Sequence, residues 1–180
     1  MLLRDFIVDT LEAYNVRVNA AIEPLTSEEM GWKPDPEANS IAFTYWYVAR
    51  VEDGGTNAFA KGEAGLWLPE SWGDKLALSD LGSGFGYSPE QVANFPNLPK
   101  YLLQAYFAFV RKETLEFLDG LQEGDFDRVP GKASFPEEPG TVSCFGEFFL
   151  ARMYCQLIGE EDQQPGQISY VRGLQRGLGK

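Results

Sequence analysis

The pattern of apolar and polar residues is helical from the beginning of the chain. Apolar residues between Leu3 and Leu25 recur at steps of three and four, the spacing that places side chains on one face of a helix. Pro24 is expected to end this first helix, because a proline inside a helix removes a backbone hydrogen bond and clashes with the preceding turn. Thr26 followed by Glu29 then has the form of a capping box and predicts a short helical turn.

A second long helix is predicted to begin near Asn39 or Ser40, since both residues are good N-caps, and to run to Asp53. Apolar residues nearly surround this segment, as expected of a central helix that is buried on most sides. The glycine pair 54–55 makes its continuation less favourable. From about residue 62 to 87 the composition shifts to Gly, Pro, Trp and polar residues, which predicts a long connection.

The next helix is introduced by Ser88 and Pro89, which suit the N-cap and the first helical position. Its main apolar stripe runs from Leu103 to Leu121, where Gly120 and Gly124 are expected to end it. The sequence therefore predicts one long third helix.

The last part of the chain combines a loop and a helix. Residues 125–140 contain three prolines and predict the final long loop. Thr141 is expected to cap a helical region that reaches about Arg176, with a kink at Pro165–Gly166. Four long helices and no dependable strand pattern predict an all-α fold, an antiparallel four-helix bundle with long connecting loops.

Length and composition agree with one folded domain over residues 1–180. A chain of 180 residues can bury a sizeable core. Its 44% hydrophobic and 14% aromatic content argues against disorder, because enough surface can be buried to offset the entropy of ordering.

The charge of the chain limits its partners. There are 15 Lys and Arg residues against 27 Asp and Glu, a net charge of -12. Nucleic acids and anionic lipids bind through dense Lys and Arg contacts, so neither is an expected partner. No apolar run approaches a membrane span of roughly 18 residues, and the opening of the chain lacks the features of a secretory signal.

Cys144 and Cys155 are the two cysteines of the chain. If both lie on one helix, their Cα atoms are roughly 16 Å apart, too far for a disulfide. Buried packing cysteines are the favoured interpretation and catalytic thiols the alternative, because the chain has no histidine to help form a thiolate. Unpaired thiols and no signal predict a cytoplasmic protein.

Several motifs resemble the DinB/YfiT-like metalloenzyme superfamily. The family's Leu-Thr-x-Glu-Glu-x-x-Trp-x-Pro turn corresponds to residues 25–34, and its Asn-Ser-Ile-Ala to residues 39–42. Its Trp-His-x-Ala-x-x-Glu-Asp corresponds to residues 46–53, with tyrosine in the place of the histidine. Its closing Gly-Gln-Ile-x-x-x-Arg-Gly-Leu is similar to residues 166–174. The resemblance covers nearly the whole chain and implies the family's helical bundle.

The resemblance also implies a metal site that this sequence has altered. In the family, one histidine of the second helix and two histidines at i and i+4 of the last helix hold a divalent ion. The corresponding positions here are Tyr47, Glu160 and Gln164, and the chain contains no histidine at all. Neutral phenols and amides are poor ligands for Zn²⁺ or Ni²⁺. We therefore expect no metal, no cofactor and no catalytic residue of the orthodox kind.

A carboxylate site is the conceivable replacement. Glu52, Asp53, Glu160, Glu161 and Asp162 would supply the oxygen ligands that Mg²⁺ or Mn²⁺ prefers. Against this, helical geometry spreads residues 160–162 over roughly 200°, so at most one or two of them can face a shared centre. Solvated acids of a strongly anionic chain are the favoured interpretation.

Two functions from different classes remain. The first is a non-catalytic protein, a homodimer, that binds a small ligand at Tyr47, Glu160, Gln164, Glu52 and Asp53 or acts through its oligomeric interface. The alternative is a divergent enzyme, of the metal-dependent hydrolase or thiol S-transferase type implied by the resemblance, with a rebuilt carboxylate site. A polar, solvent-reachable cavity at Tyr47, Glu160 and Gln164 would favour the enzyme with a rebuilt site, whereas a relic would be filled by Tyr47 and its neighbours.

Three smaller features are open to two interpretations. The glycine-rich segment 82–86 precedes a helix as a phosphate loop does, but no strand precedes it, so a surface loop is expected. The aromatic residues of the long connection would either line a cavity or cover the end of the bundle; they are Trp67, Trp72, Phe85 and Tyr87. Arg172 is expected to form a structural ion pair with Glu52 or Asp53.

Overall fold

The structure is a computed structural model that describes residues 1–63, 65–67, 72–78, 82–130, 145 and 147–177. Its α-helices are α1 (Leu3–Ile22), α2 (Ser27–Gly31), α3 (Ile41–Asp53), α4 (Trp72–Lys75), α5 (Pro89–Ala93), α6 (Lys100–Asp119) and α7 (Leu150–Arg176). A π-helical segment, Gly54–Lys61, continues α3 directly, and a 3-10 turn, Glu123–Asp127, follows α6. No strand occurs among these residues, which confirms the predicted all-α fold.

The four long helices pack on one another around a shared core. Helix α1 contacts α6 and α7, and α3 contacts the same two helices. Buried apolar side chains fill the space between them, with Trp46 of α3 among the largest that are fully buried. The antiparallel order of the bundle stays a prediction. None of the helices in the described ranges has the length and apolar character that crossing a bilayer would require.

The predicted helix starts are confirmed by their caps. The Thr26 hydroxyl accepts a hydrogen bond from the Glu29 N–H at 3.2 Å, and the Thr26 N–H donates to the Glu29 carboxylate at 2.8 Å. The Ser40 hydroxyl accepts from the Phe43 N–H at 3.1 Å and begins α3. These local bonds satisfy N–H groups that a helix start otherwise leaves without partners.

The prediction of one long third helix was wrong, because the structure has two helices there. Helix α5 begins at its predicted cap, Ser88, but ends at Ala93, and α6 begins only at Lys100. Pro96 and Pro99 lie between them. A proline removes a helical hydrogen bond and disfavours helical geometry in the residue before it, so the two helices cannot merge.

The final helix begins later than predicted. Thr141, the expected cap, and Cys144 lie outside the described residues, and α7 starts at Leu150. The Leu150 N–H donates to the backbone oxygen of Arg128 at 3.0 Å. At its other end the prediction is confirmed, since α7 passes through Pro165 and ends at Arg176. Whether Pro165 kinks the helix stays a prediction.

The glycine pair after α3 does not end the helix. The chain widens instead into the π-helical segment 54–61, which ends at Gly62 with a left-handed φ of 74°. A Cβ atom on Gly55 would lie 3.2 Å from Met153 Sδ and 3.3 Å from the Phe145 ring. The absence of a side chain therefore lets this segment lie close against α7. Such π-helical turns are often found at functional sites.

Two of the four aromatic residues in the long connection belong to the core. Trp67 and Trp72 are buried, and their ring centroids lie 5.3 and 5.4 Å from that of Tyr106. Cys155, in contrast, is exposed on α7, so its prediction as a buried packing cysteine was wrong.

Candidate functional site

Tyr47, Glu160 and Gln164 line one open cleft of about 350 Å³, although Tyr47 is more than a hundred positions from the other two. Tyr47 lies on α3, whereas Glu160 and Gln164 lie on α7. The remaining lining residues are Asn39, Phe43, Thr44, Gly84, Phe85, Gly86, Tyr87, Val92, Gln163 and Gln167. The walls therefore combine aromatic rings, primary amides and one carboxylate.

The helices explain this convergence. Glu160 and Gln164 are four residues apart on α7, so their side chains leave the same face of the helix. The Gln164 side-chain amide donates to the Glu160 backbone oxygen at 3.3 Å. Tyr47 is half-buried on the face of α3 that lies towards the cleft, and its ring stacks against Phe43 with a centroid distance of 6.3 Å. Pro165 does not turn Gln164 away from the cleft.

A smaller pocket of about 40 Å³ adjoins the cleft. Tyr47, Phe85 and Glu160 line both spaces and therefore stand at the junction between them. The smaller pocket is mostly apolar, and Gly54 at the start of the π-helical segment forms part of its wall. Its remaining lining residues are Arg50, Val51, Ser83, Phe145 and Gln156.

The glycine-rich segment 82–86 forms one wall of the cleft. Gly84 has a φ of +87°, and a Cβ atom there would lie 2.7 Å from the Trp46 ring and 3.1 Å from Tyr47. Only glycine allows the backbone to pass so close to these rings. Phe85 is consequently held at the cleft with 44% of its surface exposed. Of the four aromatic residues, Phe85 and Tyr87 thus line a cavity, while the two tryptophans pack in the core.

Glu52 does not line this cleft, because its carboxylate is buried in an ion-pair network. Arg111 of α6 donates to Glu52 through Nε at 2.8 Å and Nη2 at 2.9 Å, and to Glu161 through Nη2 at 2.8 Å. Arg111 Nη1 also donates to the backbone oxygen of Leu11. Burial, and secondly the nearby charge of Glu52, raise the pKa of Glu161 well above its ordinary value. One buried guanidinium is thus shared by two buried carboxylates.

Arg111 was missed by the sequence reasoning, although a signal was present. It lies four residues after Phe107 and three before Thr114, inside the buried face of α6. An arginine on such a face must find carboxylate partners, because an unpaired buried charge is very costly. Its helical spacing therefore marks it as the centre of a buried pair.

Asp53 is likewise occupied by protein partners. It accepts hydrogen bonds from the Asn57 side chain at 2.9 Å, the Leu66 N–H at 2.9 Å and the Tyr106 hydroxyl at 3.0 Å. Arg50 Nη1 lies 3.5 Å from the same carboxylate. Asp53 thus holds Leu66 of the long connection against the core, and Asp53 does not line the cleft.

The prediction that Arg172 forms an ion pair with Glu52 or Asp53 was also wrong. Its guanidinium donates to the backbone oxygen of Ala21 at 3.0 Å, while Glu52 and Asp53 are paired with Arg111 and Arg50.

The three successive acids of α7 point in different directions, as helical geometry predicted. Glu160 lines the cleft, Glu161 is buried against Arg111, and Asp162 pairs with Arg17 of α1 at the surface. With Glu52 and Asp53 also elsewhere, the five acids do not form the carboxylate site that was considered as an alternative. Their favoured interpretation as solvated acids was wrong for Glu52, Asp53 and Glu161, which are buried. Within the described ranges, no group of three or more His, Cys, Asp or Glu side chains is arranged to hold a metal ion.

Comparison with known proteins identifies the family. A family model of the DinB superfamily matches residues 10–153, well over half of the chain. The chain belongs to the DinB superfamily. A comparison with proteins of curated function finds no match.

Among solved structures, this DinB-superfamily chain is similar to a conserved protein from Enterococcus faecalis. The two share 24% sequence identity and a TM-score of 0.80, and the match covers 100% of this chain and 99% of the other. At this identity the likeness establishes the fold alone.

The side chains at the three positions predicted from the motif resemblance do not fit a transition-metal site. The match to the family model includes Tyr47 but ends before α7 reaches Glu160 and Gln164, whose assignment depends on the closing motif and on their place in the cleft. Tyr47, Glu160 and Gln164 present a phenol, a carboxylate and a primary amide, and only the carboxylate is a usual ligand of Zn²⁺ or Ni²⁺. No metal-dependent step is therefore assigned to this cleft.

Proposed function

We propose that this DinB-superfamily protein binds a small organic molecule in the cleft between α3 and α7, through hydrogen bonds and aromatic contacts instead of a metal ion. The observation that carries the proposal is the convergence of Tyr47, Glu160 and Gln164 on one open cleft. A relic of a lost site would be filled by neighbouring side chains. Here a solvent-reachable space of about 350 Å³ is kept open beside the Tyr47 ring.

The chemistry of the walls supports ligand binding. Small-molecule sites are usually concave, with apolar and aromatic walls and a few converging polar groups. Tyr47 and Phe85 supply rings, while Gln163, Gln164 and Gln167 supply amides that both donate and accept hydrogen bonds. The adjoining pocket of about 40 Å³ adds a small, mostly apolar recess.

A fragment screen followed by NMR tests the proposal. Amide resonances of the ¹⁵N-labelled protein are followed while polar and aromatic fragments are added, and binding should shift those of Tyr47, Gly84 and Gln164. Gln164→Leu removes an amide of the cleft and should weaken the binding of the fragments that the screen identifies. Gln104→Leu is the matched control, because Gln104 lines a separate groove on α6. A screen in which no compound shifts the cleft residues would rule the proposal out.

Catalysis in the same cleft is the second candidate, since the Tyr47 ring and the Glu160 carboxylate line one solvent-reachable space. A carboxylate and a phenol are capable of general acid–base work when both reach the substrate. The test is whether the protein converts a fragment that it binds. This candidate stands only if both Glu160→Gln and Tyr47→Phe abolish the conversion. The homodimeric state and the cytoplasmic location remain predictions for the same protein.

A further inference from the structure

Two hydrogen-bond acceptors in the cleft have no donor within the described residues. Glu160 Oε1 accepts from the Gln156 side chain at 3.2 Å, but Oε2 accepts no hydrogen bond there and the carboxylate has no ion-pair partner. Gln164 is only 5% exposed, and its Nε2 donates to the Glu160 backbone oxygen. Because that backbone oxygen can only accept, the orientation of the amide is fixed and Gln164 Oε1 is left for another donor.

The charge around these acceptors is negative. Glu160 is the one charged side chain among the described residues that line the larger cleft. Arg50 lines the adjoining pocket, but its guanidinium lies 3.5 Å from the Asp53 carboxylate and 4.6 Å from the centroid of the Trp67 ring. Its charge is therefore already balanced. The net charge of -12 adds a long-range field that attracts cations and repels anions.

Two aromatic rings line the same spaces as this carboxylate. Tyr47 and Phe85 line both the cleft and the adjoining pocket together with Glu160. The negative face of an aromatic ring attracts an ammonium group within about 6 Å of its centre. A carboxylate and two rings at this junction, with the Gln164 amide oxygen in the larger cleft, are complementary to a donor that carries positive charge.

We propose that the ligand is a small organic amine in its ammonium form, whose N–H groups donate to Glu160 Oε2 and Gln164 Oε1 beside the rings of Tyr47 and Phe85. This inference rests on the proposed function and specifies the class of molecule that the cleft takes. The hydrogen-bonding body of the amine extends along the glutamines of α7, and the small pocket accepts a group of about methyl size.

Three fragments that share a primary amide and differ in charge test this inference. The probes are 4-aminobutanamide, which is a cation at pH 7, the neutral butanamide and the anionic succinamate. Titrations of the ¹⁵N-labelled protein give the dissociation constants from the shifts of cleft amides. We expect the cation to bind at least about tenfold more tightly than either analogue, because charge-assisted hydrogen bonds are roughly twice as strong as neutral ones.

Two variants of the same helix sharpen the comparison. Glu160→Gln should lower the affinity for the cation to that for butanamide. Asp162→Asn makes the same change two residues away, on a side chain that pairs with Arg17 at the surface, and should leave the preference intact. Equal or tighter binding of butanamide or succinamate, a preference that survives Glu160→Gln, or no binding of the cation would overturn the inference. If neutral or anionic compounds bind the cleft instead, the proposed function stands and only the ligand class is wrong.

Discussion

At Gly84 the backbone passes directly over the rings of Trp46 and Tyr47, with a φ of +87°. We expect Gly84→Ala to lower the free energy of unfolding by about 2–4 kcal/mol, because it adds left-handed strain and a Cβ atom that would lie 2.7 Å from Trp46. Gly86→Ala is the control, since Gly86 has a φ of +68° but nothing within 4 Å of its Cβ position. It should cost only about 1–2 kcal/mol of backbone strain. Urea denaturation measures the free energy of unfolding of both variants. Equal decreases would contradict the close packing of Gly84 against the rings.

Glu161 should make the stability of the protein depend on pH. Its pKa is raised first by burial and then by Glu52, while Arg111 opposes the shift. The folded protein therefore holds this proton more tightly than the unfolded chain, and the free energy of unfolding should fall as pH rises above the ordinary value of 4.5. Glu161→Gln cannot lose a proton at this position, so its pH dependence should be flatter. Urea denaturation of both proteins between about pH 4.5 and 8 checks this, and parallel curves would contradict it.

Single residues also show what the sequence could and could not predict. Thr26, Ser40 and Ser88 were identified as caps because capping depends on neighbours within three positions. The pairing of Glu52 with Arg111 and of Asp53 with Tyr106 was not identified, since these partners lie 59 and 53 positions away along the chain. Long-range pairs need the packed structure, which no local pattern contains.

Helix α7 determines the geometry of the cleft at the scale of an element. It continues through Pro165, and both Glu160 and Gln164 face the space beside Tyr47. The sequence predicted this juxtaposition through the motif resemblance and the i, i+4 spacing. It could not predict that the cleft would be open, because the wall at Gly84 depends on close packing against Trp46 and Tyr47 in the folded protein.

Restoring three imidazoles should turn the cleft into a metal site. In the variant Tyr47→His, Glu160→His, Gln164→His, the i, i+4 pair on α7 and the residue on α3 would supply three nitrogen donors. Zn²⁺ at a hundred times its dissociation constant should then stabilise the fold by about 2.7 kcal/mol. Thermal melting with and without Zn²⁺ measures the effect, and the parent protein should not respond.

A control variant places the histidine on another face of α7. The control combines Tyr47→His and Gln164→His with Asp162→His instead of Glu160→His. Residue 162 points towards α1, where Asp162 pairs with Arg17. This control should gain much less from Zn²⁺. If the triple variant Tyr47→His, Glu160→His, Gln164→His melts at the same temperature with and without Zn²⁺, the three positions do not share a centre.

At the scale of the whole molecule, the buried ion network connects all four long helices. Arg111 belongs to α6, its carboxylate partners Glu52 and Glu161 belong to α3 and α7, and Leu11 of α1 supplies a backbone oxygen. Arg111→Leu would leave two buried carboxyl groups without their arginine, and we expect it to cost about 3–5 kcal/mol of stability. Adding Glu52→Gln should recover part of the loss, because one of these two groups is then replaced by an amide that carries no charge. Urea denaturation of the single and double variants tests this, and equal losses would contradict it.

The same guanidinium has a consequence for how the chain folds. An assembly of α6 with only two of the other three helices leaves Arg111 without one of its partners, and an assembly that lacks α6 leaves Glu52 and Glu161 without their arginine. Partly assembled states are thereby disfavoured, and folding becomes cooperative across the bundle. Helix content followed by circular dichroism and core packing followed by tryptophan fluorescence should therefore be lost at one urea concentration. Hydrogen exchange should give the central amides of α1, α3, α6 and α7 a common opening free energy.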